Sequence, residues 1–209
     1  MTRKNKNLKK RIKNLNKEVF FILSTARCRS SWFGNLFTYK DSFCYKEESR
    51  YITNWHELID RIEKRPEKYV GFSDPELLHF IETLYDLFPN AKYILLERDR
   101  NDAQLSLAAY FGGNVYKIKK KWDRWFEDIE KLKKIIKKYA CIHWNNMDDV
   151  KAIEQIWNYV LPDSKFDIER WQLLASFKIK ETIVNVPFKM DPQTCIAPYF
   201  NFEKLKLAK

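Results

Sequence analysis

Residues 24 to 32 read Ser24-Thr25-Ala26-Arg27-Cys28-Arg29-Ser30-Ser31-Trp32. Two arginines and two adjacent serines in so short a run are equipment for holding phosphate or sulfate, because guanidinium forks and hydroxyls both donate to anionic oxygens. The run opens a helix. The N-terminus of a helix is itself an anion site, since loop amides and first-turn N–H groups point outward and the helix dipole favours negative charge. The spacing GxxxxGK[ST] is absent, so the ordinary ATP or GTP phosphate loop is not matched.

The elements that must position this loop are legible on either side. Val19-Phe20-Phe21-Ile22-Leu23 is a continuous apolar run of strand length, the pattern of a strand buried on both faces of a parallel sheet. Trp32, Phe33, Leu36 and Phe37 then recur at helical spacing. Asp41 to Arg50 reads as polar loop, Trp55 to Ile62 as a helix ending before Pro66, and Tyr69 to Phe72 as a short strand. One helix, capped by Ser73 or Asp74 with Pro75 in its first turn, is expected to run on to Pro89. Lys92 to Arg98 is a second buried-type strand, followed by a helix over Ala103 to Phe111. Cys141 to Trp144 suggests a further strand, with helices at Asp148 to Tyr159 and Asp167 to Ala175. The alternation predicts an α/β fold, a three-layer parallel sheet with flanking helices.

The loop resembles the 5′-phosphosulfate loop of the PAPS-dependent sulfotransferases (PAPS, 3′-phosphoadenosine-5′-phosphosulfate), a strand followed by T-x-[RK]-S-G-[ST]-[ST]-W. Thr25, Arg27, Ser30, Ser31 and Trp32 fall on matching positions, while Cys28 replaces serine and Arg29 replaces glycine. The resemblance implies that Arg27 contacts the phosphosulfate bridge and that Ser30 and Ser31 bind its oxygens. If the backbone at the glycine position needs positive φ, Arg29 is strained there; otherwise it adds a cation. The same family holds the 3′-phosphate with a pattern like R-[DN]-P-x-D-x-x-x-S. Arg98-Asp99-Arg100-Asn101-Asp102-Ala103-Gln104-Leu105-Ser106 keeps its arginine, inner aspartate and serine, and carries Arg100 for the proline. By resemblance the chain is a P-loop sulfotransferase-like enzyme using PAPS, releasing PAP (3′-phosphoadenosine-5′-phosphate) and requiring no metal.

Sulfuryl transfer is an in-line displacement in which the protein positions reactants and neutralises charge, helped by a general base. Phe43-Cys44-Tyr45-Lys46-Glu47-Glu48-Ser49-Arg50 looks like the C-G-E-E-T-R segment of tyrosylprotein sulfotransferases, which implies Glu48 as base, Glu47 as its close rival, and Arg50 aiding binding. His56, His79 and His143 read as packing or surface residues, and Asp74 as a helix cap. Arg170 could reach the nucleotide but reads first as a surface residue.

With 209 residues, 45% of them hydrophobic and only 4 glycines, the chain has material for one real core, expected over 19–209. The net charge of +11 attracts anions. It concentrates in Thr2 to Lys17, read as a flexible basic arm (1–18) or frayed helix, and in an amphipathic helix over Lys117 to Lys138. Cys28, Cys44, Cys141 and Cys195 form no CxxC pair, which points to reduced thiols and a cytoplasmic setting. Val19 to Leu23 is too short for a membrane span. The expected partners are the nucleotide cosubstrate and an unidentified acceptor. Three readings compete: a PAP-binding protein without turnover, another P-loop nucleotide enzyme acting on ATP and magnesium, and a basic nucleic-acid-binding module, for which no recognised motif is present.

Overall fold

The computed structural model describes residues 3–25, 27–110 and 115–176. Cys195 and the end of the expected domain, 177–209, lie outside them. Five parallel strands form one sheet in the order β2-β3-β1-β4-β5, with β1 Glu18–Ser24, β2 Ser42–Lys46, β3 Tyr69–Ser73, β4 Lys92–Glu97 and β5 Ala140–His143. β1 is central because it can be: every residue from Val19 to Ser24 is buried, with apolar side chains for both faces. Its neighbour β3 carries Gly71 where a Cβ would lie 2.0 Å from the Phe20 ring, so the bare backbone there is what lets Phe20 lie flat across the sheet.

Period-two alternation along β1 divides the core. Phe21 and Leu23 face one layer, built from α1 Arg3–Lys13, α3 Trp55–Glu63, α4 Ile81–Leu87 and α6 Val115–Ile135. Phe20 and Ile22 face the other, built from α2 Ser30–Leu36, α7 Val150–Val160 and α8 Ile168–Ser176. α5 Arg100–Tyr110 follows β4. The expected three-layer α/β architecture is the one found. α6 buries Trp122, Trp125, Ile129 and Leu132, with Ile136 buried just past its end, as the helical spacing requires. No helix among the described residues is long and apolar enough to cross a membrane.

Three expectations are corrected. The basic run read as a flexible arm or a frayed helix forms α1 over most of its length, and the helix is docked rather than loose, by buried Leu8 and by Arg11, which pairs with Asp60 at 2.7 Å and Glu63 at 2.6 Å on α3. The stretch read as polar loop contains β2, a short edge strand whose pairing with β3 no local apolar run announces. The single helix expected after β3 is a 3₁₀ segment, Pro75–Phe80, followed by α4.

Because β2 and β3 lie on one side of β1 and β4 and β5 on the other, the chain changes direction beside β1. In open α/β sheets ligands bind at the carboxyl ends of strands flanking such a point. The loop of residues 24–32 and the end of β4 meet there.

Candidate active site

The loop leaves β1 through buried Thr25 and turns twice through the left-handed region, at Arg27 (φ 67°) and Arg29 (φ 57°). Such turns group backbone amides into an anion-binding concavity. Arg29 is the residue before α2, so the sequence-based expectation of strain at the glycine position is met. Its side chain offsets part of that cost: Nη1 donates to Asp148 Oδ1 at 2.7 Å, and the guanidinium lies 4.5 Å from the centre of the Trp144 ring. Cys28 is buried in the core layer below, its sulfur 3.1 Å from Thr25 Oγ1, and burial pushes its thiol up to about 11. It therefore braces the loop as a neutral thiol. Trp32 also turns inward, edge-on to Phe33 at 5.0 Å. Ser30 and Ser31 form the first turn of α2, and the Ser30 carbonyl accepts from Ser73 Oγ on β3 at 2.7 Å.

The second half of the pattern folds onto the first. Arg98, just past β4, donates through Nη1 to the Arg27 carbonyl at 2.9 Å, and its guanidinium lies 4.1 Å from the centre of the same Trp144 ring. Arg27 Nε in turn reaches Ser106 Oγ on α5 at 3.4 Å. Residues 71 and 79 positions apart are thus joined at one sheet edge. Among the described residues, Arg98 Nε is buried without a hydrogen-bond partner. A buried donor of that kind costs stability unless something accepts from it. Arg98 is thus tied to the Arg27 backbone, Arg27 to Ser106, and Arg29 to the Trp144 ring that Arg98 shares, a set of three guanidiniums and a hydroxyl that suits an anionic ligand of phosphate or sulfate type. Arg100 is turned elsewhere, pairing with Asp123 and lying 5.2 Å from the Phe126 ring centre on α6.

The carboxylates sit on the same edge of the sheet, at the ends of β2 and β3. Glu47 has φ 52° and its amide donates to the Ser73 carbonyl at 3.1 Å; a 3₁₀ turn, Glu48–Arg50, follows. The two glutamates are differently placed. Glu48 is only 8% exposed in its side chain and is held by Arg61 Nε at 2.8 Å, whereas the Glu47 side chain is 37% exposed and meets the more exposed Arg50 at 2.8 Å. Burial raises both carboxyl pKa values, and the paired arginines partly counter it. Asp74 is buried, accepts from Ser49 N at 2.7 Å and Glu76 N at 2.9 Å, and caps the 3₁₀ segment as expected.

Lys46, at the end of β2, escaped sequence reasoning because its strand did. Its ammonium donates to Asn35 Oδ1 at 2.7 Å under α2, and burial lowers its pKa to about 8. A Cβ at Gly34 would come within 2.6 Å of the Lys46 stem, so that glycine makes room for the side chain. Trp144 was also missed; its only sequence signal is an aromatic residue just past a strand end. Arg170 is neither at the surface nor near the loop. It is buried and donates to the carbonyls of Asn35 (2.6 Å), Leu36 (3.3 Å) and Thr38 (2.5 Å), capping α2 at the end opposite the loop. His79 is stacked on Trp125 at 5.6 Å with Nδ1 2.7 Å from Asp128, His143 caps a turn, and His56 is exposed on α3.

Comparison with known proteins bears on the fold and the family. Residues 24–162 match the family described as sulfotransferase domain. Among solved structures, the chain is similar to a sulfotransferase from Alicyclobacillus acidocaldarius, with 14% identity, coverage of 92% of this chain and 96% of that one, and a TM-score of 0.56. It is similar to mouse sulfotransferase SULT7A1 complexed with PAP, with 15% identity, coverage of 88% and 73%, and a TM-score of 0.55. For the sulfotransferase domain from the curacin biosynthetic pathway the corresponding values are 15%, 74%, 76% and 0.54. Curated protein sequences yield no match. At these identities the solved structures bear on the fold alone, and it is the family match over most of the chain, starting in the Arg27 loop and running beyond Trp144, that makes the chain a member of the sulfotransferase domain family.

Proposed function

We propose that this chain transfers a sulfuryl group from PAPS to a hydroxyl or amine acceptor by in-line displacement. The observation that carries the reading is the linkage of Arg98 to the Arg27 carbonyl and of Arg27 to Ser106, with the buried Nε of Arg98 lacking a hydrogen-bond partner among the described residues. Arg98 and Ser106 would hold the 3′-phosphate. Arg27, with the Ser30 and Ser31 hydroxyls and first-turn amides of α2, would hold the phosphosulfate end and neutralise the departing phosphate. Support for the donor comes from the PAP complex of the similar mouse enzyme.

In the step itself, an acceptor oxygen or nitrogen bonds to sulfur, the bond from sulfur to the bridging phosphate oxygen breaks, and that oxygen keeps the electron pair as PAP leaves. The acceptor proton passes to a carboxylate. Glu47 suits this role better than Glu48, since it is the more accessible and its cation Arg50 is free to swing into water, while Glu48 is locked to Arg61. The raised pKa of Glu47 makes it a stronger base once ionised. Cys28, Cys44 and Cys141, which form no disulfide among the described residues, fit a reducing, cytoplasmic setting.

The test is sulfuryl transfer from labelled PAPS to a panel of phenol, alcohol and amine acceptors, run with the unsubstituted chain, Arg27→Ala and Arg98→Ala. Transfer that both substitutions abolish supports the reading. Transfer that survives both removes it.

A further inference from the structure

The loop departs from its family pattern at Arg29, and the structure shows what that arginine meets. The segment after β5 supplies an aromatic face, Trp144, and an acid, Asp148, to the same guanidinium. Trp144 also carries Arg98, the strand-end arginine, at 4.1 Å. One indole therefore holds two cations from opposite halves of the nucleotide signature, each within 4.5 Å of its centre. Two like charges so close repel one another; cation–π attraction and the Asp148 carboxylate are what make the arrangement tolerable.

The carboxylate is placed unusually for a purely structural partner. The Asp148 side chain is 75% exposed and sits at the far end of a 119-residue separation, while the Arg29 side chain is 31% exposed. An exposed pair of this kind contributes little to stability. It does occupy a cation at the mouth of a loop that attracts anions.

We propose that Trp144 and Asp148 set the affinity of the nucleotide site: Trp144 is a positioning residue that aims Arg29 and Arg98, and Asp148 is an intramolecular anion that a nucleotide phosphate displaces from Arg29. This rests on the reading of the loop as the PAPS site. The occupant of Arg29 then changes from a protein carboxylate to a phosphate of the bound nucleotide, with no bond made or broken. The device is available to this chain because arginine stands where the family pattern has glycine, and it makes Arg29 a third guanidinium for the ligand beside Arg27 and Arg98.

The experiment is isothermal titration with PAP, at low and high salt, of the unsubstituted full chain, Asp148→Asn, Arg29→Ala, the double variant, Trp144→Ala and Trp144→Phe. Displacing an exposed ion pair should cost the ligand about two- to fivefold in affinity, so Asp148→Asn should tighten PAP binding by about that factor. The gain should shrink at high salt and vanish in the Arg29→Ala background. Trp144→Ala should weaken binding roughly five- to thirtyfold and Trp144→Phe should restore most of it, a rescue that follows from the ring face. Asp148→Asn that leaves PAP affinity unchanged or weakens it overturns the proposal, as does a gain that persists without Arg29. Asp148 lies on the surface, so this arm decides the matter even if Trp144→Ala fails to fold. PAP binding by the unsubstituted chain that ignores Asp148→Asn defeats this proposal alone; absence of PAP binding by the unsubstituted chain defeats the nucleotide reading and this proposal together.

Discussion

Replacing Arg29 with glycine separates what the residue costs the fold from what it offers a ligand. At φ 57° a side chain with a Cβ carries a conformational penalty of roughly 1–2 kcal/mol that glycine does not. The substitution also removes an ion pair to a largely exposed aspartate, about 0.2–1 kcal/mol after solvent screening, and a cation–π contact worth about 0.5–1 kcal/mol. Gain and loss nearly cancel. Arg29→Gly should leave stability within about 1 kcal/mol of the parent, a Tm change of no more than about 2–4 °C in thermal unfolding. Affinity should not cancel in the same way. A guanidinium bonded to a phosphate contributes about 1.5–3 kcal/mol, so PAP affinity should fall about tenfold or more when measured by titration on the same samples. A large loss of Tm with PAP affinity intact would refute the reasoning, because it would make Arg29 a structural strut.

Further outcomes follow from the same geometry. Glu47→Gln should lower kcat about 10²- to 10⁴-fold with PAP affinity unchanged, whereas Glu48→Gln, which neutralises a carboxylate already held by the half-exposed Arg61, should lower kcat far less; equal kinetic losses in the two variants would count against Glu47. Because the pKa of Glu47 is raised by burial, the rising limb of the pH–rate profile, where the base ionises, should lie above the ordinary glutamate range. For Lys46, whose pKa falls from 10.5 to about 8 on folding, the unfolded chain binds the extra proton between those values, so stability should rise with pH across that window. Lys46→Met should remove that rise, on the order of 3 kcal/mol, from denaturant-unfolding midpoints compared across pH. Gly71→Ala forces the Phe20 ring out of its seat and should destabilise by about 1–3 kcal/mol, read as a loss of Tm.

Local pattern carried most of the fold. The runs that became β1 and β4 are apolar on both faces, and α6 shows its stripe plainly, so each could be read within a few residues of its ends. Features that depend on long-range pairing were not legible. β2 is a short strand made by its register with β3, and without it neither Lys46 nor the difference between Glu47 and Glu48 could be seen. The docking of α1 depends on Arg11 meeting acids some fifty residues away. At the site, the motif residues Arg27, Arg98 and Ser106 come together at one sheet edge, because strand ends and helix starts are local properties. Cys28 and Trp32 belong to the same motif, and their side chains turn into the core layer beneath the loop, a direction that the motif alone does not give. Arg170, read as a surface residue, became the cap of α2 because the packing of α8 against α2 brings it to that turn, which no local pattern records.

The most direct test of the central claim is titration of the purified chain with PAP, using ATP and magnesium as control and Arg98→Ala as the site variant. The account predicts micromolar PAP binding, no comparable ATP binding, and a loss of about tenfold or more in the variant through the lost guanidinium contact. Binding of PAP that Arg98→Ala leaves unchanged, or a preference for ATP with magnesium, would contradict it.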